Sequence, residues 1–488
     1  LSGNNNTLTS NTGTSNSSSG IFLDSSSNNT LTSNTGTSNS SSGIYISYSS
    51  NNILKNNNVS NSPSGFFIDG NSDQHFNNSI DMTNVLDGSY KLYYNYSISN
   101  YVFDLTTAPD AGEIFCAKCN NITVKNLNSV HPLKGMYFFN TTNSIIQNIT
   151  SNVSDGVGIS LDSSSNNTLT SSTGTSKSGY GIWLTSSSNN ILTLNNGTSD
   201  SRSGISLDSS SNNTLTSSTG TSNSSRGIYI FYSSNNNTLT SNTALSNSNA
   251  GIYIFYSSNN TLNNSISNNN KYGLYISNSN GTIVTNLTAK NNSLYGIFLE
   301  SGSSNNIIKN SFIQLNNGSA FSLNNTGTAL SNNYFYNNYF NNSVAFSNIS
   351  ASSVNFFNIT KTAGVNIVGG TYLAGNYWAA PNGSGFSQTC VASTDGICDT
   401  SYNFDGINYD YLPLVCYENW SCDDWRKCAD GRQTRSCSDV NLCQTYRYKP
   451  IESQTCSVDL GGHVAQSTGS GGGNSFSSLI TNIVPDRP

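Results

Sequence analysis

One phrase of hydrophobic and polar positions returns along most of the chain. Gly20-Ile21-Phe22-Leu23 recurs as Gly43-Ile44-Tyr45-Ile46, Gly158-Ile159-Ser160-Leu161, Gly181-Ile182-Trp183-Leu184, Gly204-Ile205-Ser206-Leu207, Gly227-Ile228-Tyr229-Ile230, Gly251-Ile252-Tyr253-Ile254, Gly273-Leu274-Tyr275-Ile276 and Gly296-Ile297-Phe298-Leu299. Degenerate copies at Gly65, Gly88, Gly112 and Gly135 fill the gap, so thirteen glycines stand 22 to 24 residues apart. Each phrase alternates apolar, variable, apolar, the period of a strand with one buried face. A second short strand is expected around Leu31, Leu54, Leu169, Leu192, Leu215 and Leu262, each eleven residues after its glycine. Between the two strands stands an Asn-Asn pair: Asn28-Asn29, Asn166-Asn167, Asn212-Asn213, Asn259-Asn260. Asparagine tolerates the left-handed backbone of a tight corner, and in stacked coils its side chain reaches the same residue above and below.

A fixed period of this length marks a solenoid. A leucine-rich-repeat horseshoe would need helical segments, and a disordered chain would not hold Ile and Leu in phase. The pattern predicts an all-β fold, a right-handed single-stranded parallel β-helix with coils of about 23 residues over 1–369. At ~4.8 Å per coil, thirteen coils make a rod of roughly 60 Å. Stability of such a rod comes from stacking, and its terminal coils need caps. No N-terminal cap is visible, so an open sheet edge is expected there, inviting further coils or a second copy of the chain.

Composition narrows the setting. Only 9% of residues are charged, but 34% are hydrophobic and 11% aromatic, in phase with the repeat, which favours packing over disorder. A net charge of −6 without a basic cluster argues against nucleic acid as partner. No apolar run approaches the length of a transmembrane helix. The chain opens inside a repeat without an initiator Met, as expected of a piece of a longer precursor. Eight of ten cysteines lie between Cys390 and Cys456, a density expected of disulfides formed in an oxidising compartment. There are 28 Asn-x-Ser/Thr sequons, with Asn28, Asn166, Asn212 and Asn259 as candidate glycosylation sites. Together these features predict an extracellular or cell-surface protein.

The residue two after each glycine points outward, giving the column Phe22, Tyr45, Phe67, Tyr90, Ile114, Tyr137, Ser160, Trp183, Ser206, Tyr229, Tyr253, Tyr275, Phe298. Tyr45, Trp183, Tyr229, Tyr253, Tyr275 and Phe298 are the candidate binding residues, suited to stacking on sugar rings or on a neighbouring rod. The plainer alternative is that aromatics favour strands and shield the backbone. Lyases and hydrolases of polysaccharides need clustered carboxylates. Asp24, Asp69, Asp162 and Asp208 share one column, yet no two fall on consecutive coils, and no catalytic residue is nominated. Cys116-Ala117-Lys118-Cys119 is a lone CxxC, expected as a local disulfide or two buried thiols. His75, His131, His463, Met82 and Met136 supply no further metal ligands beside it.

Two stretches resemble the NosD-like family of β-helix proteins, often labelled periplasmic copper-binding. The first runs Asn78-Ser79-Ile80-Asp81-Met82-Thr83-Asn84-Val85-Leu86-Asp87-Gly88 to Asn121-Ile122-Thr123-Val124-Lys125-Asn126-Leu127. The second includes Gly375-Asn376-Tyr377-Trp378 and Asp395-Gly396-Ile397-Cys398-Asp399, ending at Tyr409-Asp410-Tyr411-Leu412-Pro413-Leu414. The resemblance covers about 1–414 and implies a less regular pair of coils in the first stretch and a cap over 370–414. It does not imply copper, because the Cys/Met/His constellation is missing. The Asp395–Asp399 turn, with Asp405 and Asp410, resembles a Ca²⁺ loop; a turn held by Cys390 and Cys398 without metal is the other reading. Residues 415–457 resemble a thrombospondin type 1 repeat: Trp420-Ser421-x-x-x-Trp425, Cys428 through Arg435 to Cys437, and Cys416, Cys422, Cys443 and Cys456. That resemblance implies three disulfides around a Trp/Arg stack. Residues 458–488 read as a flexible linker.

The expected function is non-enzymatic: a surface rod or adhesin that binds glycans or assembles with copies of itself into a filament, sheath or surface layer. The alternative is a carbohydrate-active β-helix enzyme, a polysaccharide lyase or hydrolase.

Overall fold

A computed structural model describes residues 3–129, 134–325, 327, 330–347, 354–392, 395–416, 418–440, 443 and 449–456. Among these, the chain up to Asn419 with Cys443 forms one compact unit, and Trp420–Val440 with 449–456 forms a second. The first unit is the expected right-handed parallel β-helix. Like strands of successive coils lie side by side, so Ile182, Ile205, Ile228 and Ile252 stack in register, as do Leu184, Leu207, Ile230 and Ile254. All eight are fully buried. Each removes apolar surface worth about 1.5–3 kcal/mol from water.

Each regular coil holds three strands where the pattern predicted two. In one coil these are Ile182–Thr185, Ile191–Thr193 and Asn196–Ser199. The third escaped notice because its inward positions are Gly197 and Ser199, without a large apolar side chain. It runs close against the first strand of the next coil. A Cβ on Gly197 would lie 2.3 Å from the Gly204 carbonyl oxygen, and one on Gly204 would lie 2.3 Å from the Thr221 amide nitrogen. The repeat glycine is therefore a packing requirement of the third strand.

The Asn-Asn pair divides its two tasks. The first residue takes the left-handed corner in the open: Asn28, Asn166, Asn189 and Asn212 have φ of 59° and are exposed. The second is buried and forms a ladder. The Asn167 amide donates to Asn190 Oδ1 (2.9 Å), Asn190 to Asn213 (2.8 Å), and Asn213 to Asn237 (2.8 Å). Asn190 Nδ2 also donates to the Ser164 carbonyl at 2.9 Å. Asn190→Ala is expected to cost about 2–4 kcal/mol, since it orphans the Asn167 N–H and removes a donor from Ser164. Asn189→Gly, at the exposed left-handed position, should change stability by about 0.5 kcal/mol or less. Urea midpoints of the two variants would check the contrast.

The irregular coils fall where the family resemblance placed them. The Asp87-Gly88 turn folds Val85–Leu86 antiparallel onto Tyr90–Tyr96, which then pairs in parallel with Ala111–Ala117 through a bulge between Lys91 and Leu92. Hairpin and bulge together correct the outward column. Ile114 points into the core with Met136, while Tyr94 and Phe115, not Tyr90 and Ile114, stand in line with Tyr137.

At its C-terminal end the solenoid closes on Gly375-Asn376-Tyr377-Trp378. Tyr377–Ala379 pairs with Tyr339–Asn341. Asn376 Oδ1 accepts from the Asn338 amide and side chain (3.1 and 2.9 Å), continuing the inward asparagine contacts into the cap. Trp378 stacks on Phe340 with ring centres 4.5 Å apart. Cys390–Cys398 ties the following loop, and Cys416–Cys443 lies in the same unit.

The second unit pairs Trp420–Cys422 with Cys437–Asp439 and Arg432–Thr434 with Ser453–Thr455, both antiparallel. Disulfides Cys422–Cys437 and Cys428–Cys456 cross it. The Arg435 guanidinium sits 4.5 Å from the Trp425 ring centre. The expected linker over 458–488 lies outside the described residues.

Candidate functional site

The outward column is a stack of rings. Phe22 and Tyr45 stack at 4.7 Å, Tyr229 and Tyr253 at 5.2 Å, Tyr253 and Tyr275 at 4.3 Å, and Tyr275 meets Phe298 at 4.7 Å. Strand spacing of about 4.8 Å matches ring stacking, which is why like aromatics on successive coils cover one another. The six candidate binding residues differ in exposure. Tyr45, Trp183, Tyr229 and Tyr275 are half-buried, whereas Tyr253 and Phe298 are only 7% and 8% exposed and offer little ring face. Tyr232 and Tyr256, at the neighbouring corner, are each 53% exposed.

Within this stretch the stack breaks at Ser160 and Ser206. By register Ser206 lies between Trp183 and Tyr229. Beside the second break the surface sinks into a groove of about 680 Å³ lined by Tyr180, Arg202, Arg226, Tyr229, Phe231 and Tyr232, with serines from the same loops. Trp183 leans on Tyr180 with ring centres 5.2 Å apart.

A second feature of this face was not visible in the glycine register alone. Tyr45 donates to Asp69 (2.9 Å), Tyr137 to Asp162 (2.8 Å) and Tyr275 to Glu300 (2.5 Å), in each case an outward tyrosine and an acid on the next coil. Burial, then the neighbouring acid, holds the Tyr137 and Tyr275 phenols well above their usual pKa. The recurring separation of 24 or 25 residues was the available signal. Asp208 accepts from Ser209, and burial raises its carboxyl. Asp162, Thr185 and Asp208 sit on successive coils, so the two acids stay two coils apart.

The four acids nominated for Ca²⁺ are held separately. Among the described residues no three of them bring carboxylate oxygens together. Asp395 pairs with Lys361 at 2.8 Å, which keeps its carboxyl below the usual range. Asp405 accepts from the Ile407 and Asn408 amides (2.9 and 2.7 Å) and from Asn408 Nδ2 (2.7 Å). Asp399 is exposed. Asp410 is fully buried: Oδ2 accepts from the Asn376 amide and the Trp378 indole (both 2.8 Å) and from Asn376 Nδ2 (3.3 Å), and Oδ1 accepts from the Leu412 amide (3.1 Å). Burial pushes its carboxyl up to about 7 against the pull of these donors. Its place is the hub of the cap, because four N–H groups already fill the oxygens a cation would need.

Cys116 and Cys119 are bridged, and all ten cysteines are in disulfides. His75 accepts from the Asn71 amide and stands edge-on to Tyr48; Met136 is buried in the core and Met82 is exposed. His131 and His463 lie outside the described residues. Among the described residues this donor set does not fit copper. The sequon asparagines Asn28, Asn166, Asn212 and Asn259 are exposed at the corners. No helix among the described residues is long and apolar enough to cross a membrane.

Fold and surface together define a right-handed parallel β-helix protein, and a profile described as a right-handed beta helix region matches residues 112–264. A second profile, described as periplasmic copper-binding protein (NosD), matches residues 1–104 and 196–383. The chain belongs to the NosD family. No curated protein matches it. Among solved structures it is similar to a mutant of the periplasmic alginate epimerase AlgG, at 12% identity over 69% of this chain and 74% of that one, with a TM-score of 0.38. It is likewise similar to the A-module of the Azotobacter vinelandii mannuronan C-5 epimerase AlgE6, at 13% identity over 67% of this chain and 88% of that one, TM-score 0.38. The surface adhesin PfbA of Streptococcus pneumoniae matches at 12% identity over 60% of this chain and 84% of that one, TM-score 0.31.

Proposed function

We propose that this protein is a non-enzymatic, extracellular glycan-binding rod, with the small disulfide-rich unit as an adhesive module resembling a thrombospondin type 1 repeat. The observation that carries this reading is the outward ring column, repeated coil after coil and opened at Ser206 beside a groove of tyrosines and arginines. Beside the column the exposed Tyr232 and Tyr256 rings offer apolar faces with polar tips, the chemistry that stacks on a sugar ring. The exposed corner asparagines suit a glycoprotein, and the five disulfides suit an oxidising compartment.

A carbohydrate-active enzyme would draw on the tyrosine–acid pairs. A phenol donating to a carboxylate keeps its proton, so Tyr137 and Tyr275 would serve there as proton donors and not as general bases near neutral pH.

Electron microscopy of the purified chain across a concentration series, with retention on a panel of immobilised polysaccharides, tests the proposal. Retention on at least one glycan, or end-to-end or lateral joining of rods, is expected. Strict monomers that no glycan retains would contradict it.

A further inference from the structure

Before residue 420 the chain contains two arginines, Arg202 and Arg226, and both line the groove beside Ser206. They stand on neighbouring coils, the Gly204 amide donating to the Arg226 carbonyl at 3.1 Å. Arg226 lies over two rings of the column, 4.6 Å from the Tyr229 centre and 5.1 Å from Tyr253. Arg202 lies 5.4 Å from the Tyr180 ring centre, and its Nη1 is 3.4 Å from the Tyr180 hydroxyl.

Four lysines of the first unit meet acids: Lys91 with Asp110, Lys118 with Asp73, Lys125 with Asp104, Lys361 with Asp395. The arginines stand together in one groove instead. Among the described residues neither guanidinium has a carboxylate within ion-pair distance, and Arg226 Nε is buried without a hydrogen-bond partner. Trp183 Nε1 and Ser206 Oγ, adjacent in the column, are likewise unpartnered. With no carboxylate of the protein beside them, the two guanidinium groups are left to pair with an anion from outside. Contact with the tyrosine rings restrains both guanidinium groups, so less side-chain freedom remains to be lost on binding.

We propose that this groove binds an anionic saccharide, with Arg202 and Arg226 each engaging a carboxylate or sulfate on neighbouring sugar units. Guanidinium presents parallel N–H groups that match two oxygens of either anion. Tyr232, 53% exposed, supplies a ring face for the sugar, and Ser201, Ser203 and Ser225 line the same groove with hydroxyls. The inference rests on the glycan-binding reading and narrows it to one ligand charge and one place on the rod.

Titration calorimetry of the whole chain tests it with three probes: an oligogalacturonate hexamer, its neutral methyl ester, and a sulfated hexasaccharide. At least one acidic probe is expected to bind about tenfold or more tightly than the ester, and added salt should weaken it. Which acidic probe binds more tightly identifies the source of the anion. The Arg202→Ala/Arg226→Ala variant should lose about tenfold or more of that affinity at unchanged circular dichroism, and Arg226→Lys, which keeps the charge without the fork, should fall between. Equal affinity for the neutral ester, or a double variant that binds like wild type, would overturn the site. Retention of neutral glycans alone would sink the site and leave the rod reading standing. Cleavage of a bound acidic probe would leave the site standing and sink the non-enzymatic reading.

Discussion

Gly204→Ala is expected to destabilise the rod by about 3 kcal/mol or more, at the upper end of what overpacking costs. The new methyl would sit 2.3 Å from the Thr221 nitrogen, 2.5 Å from the Gly197 carbonyl oxygen and 2.7 Å from the Thr221 carbonyl oxygen. All three obstacles are backbone, so no side chain can swing away. Because each coil touches its neighbours alone, relief would require two stacked coils to part, and the damage should centre on residues 197–228. Gly88→Asn provides the control. Gly88 has φ of 74° with nothing within 4 Å of its would-be Cβ, and asparagine tolerates that conformation, so a change of about 1 kcal/mol or less is expected. Hydrogen exchange across 197–228, with urea midpoints of both variants, separates the outcomes.

Asp410→Ala should be of similar size, about 3–5 kcal/mol, expressed in the cap. It strips the acceptor from the Asn376 amide, the Trp378 indole and the Leu412 amide at once. The same carboxyl gives the cap a pH dependence whose sign follows from burial. Its folded pKa of about 7 stands above the ordinary 3.8, so the folded state keeps a proton that the unfolded chain has released. This contribution is fully present below about pH 4 and is lost as the pH rises towards 7, beyond which it is flat. Three pH units correspond to about 4 kcal/mol. Asp410→Asn cannot titrate, so its cap stability should lack this slope. Protection of residues 372–379 followed from pH 4 to pH 8 in both proteins checks the sign.

The sequence made the coil period legible because Ile and Leu must be inside at fixed intervals, and any slip of one residue would turn them outward. It left the third strand illegible for the complementary reason: where two strands pass at backbone contact, Gly197 and Gly204 carry no side chain to announce them. The outward column shifts for the same kind of reason: the hairpin at Asp87-Gly88 moves it from Tyr90 to Tyr94 and the bulge at Lys91/Leu92 from Ile114 to Phe115, and neither shows in a period counted from glycines. In the cap, Asp410 drew notice as an acid among acids. Its true partners, Asn376 and Trp378, are more than thirty residues away and come together only when the solenoid ends. The groove was hidden because Arg202 and Arg226 look like scattered single charges until coil stacking sets them side by side.

We propose that the rod's outward face binds saccharide without transforming it. Proton NMR of an oligogalacturonate hexamer and of a mannuronate oligomer, held with the protein and sampled over time, tests that directly. Broadened sugar resonances with unchanged chain length and unchanged C5 configuration are expected. New chain ends, unsaturated uronate signals or inverted C5 protons that grow with protein concentration would contradict it.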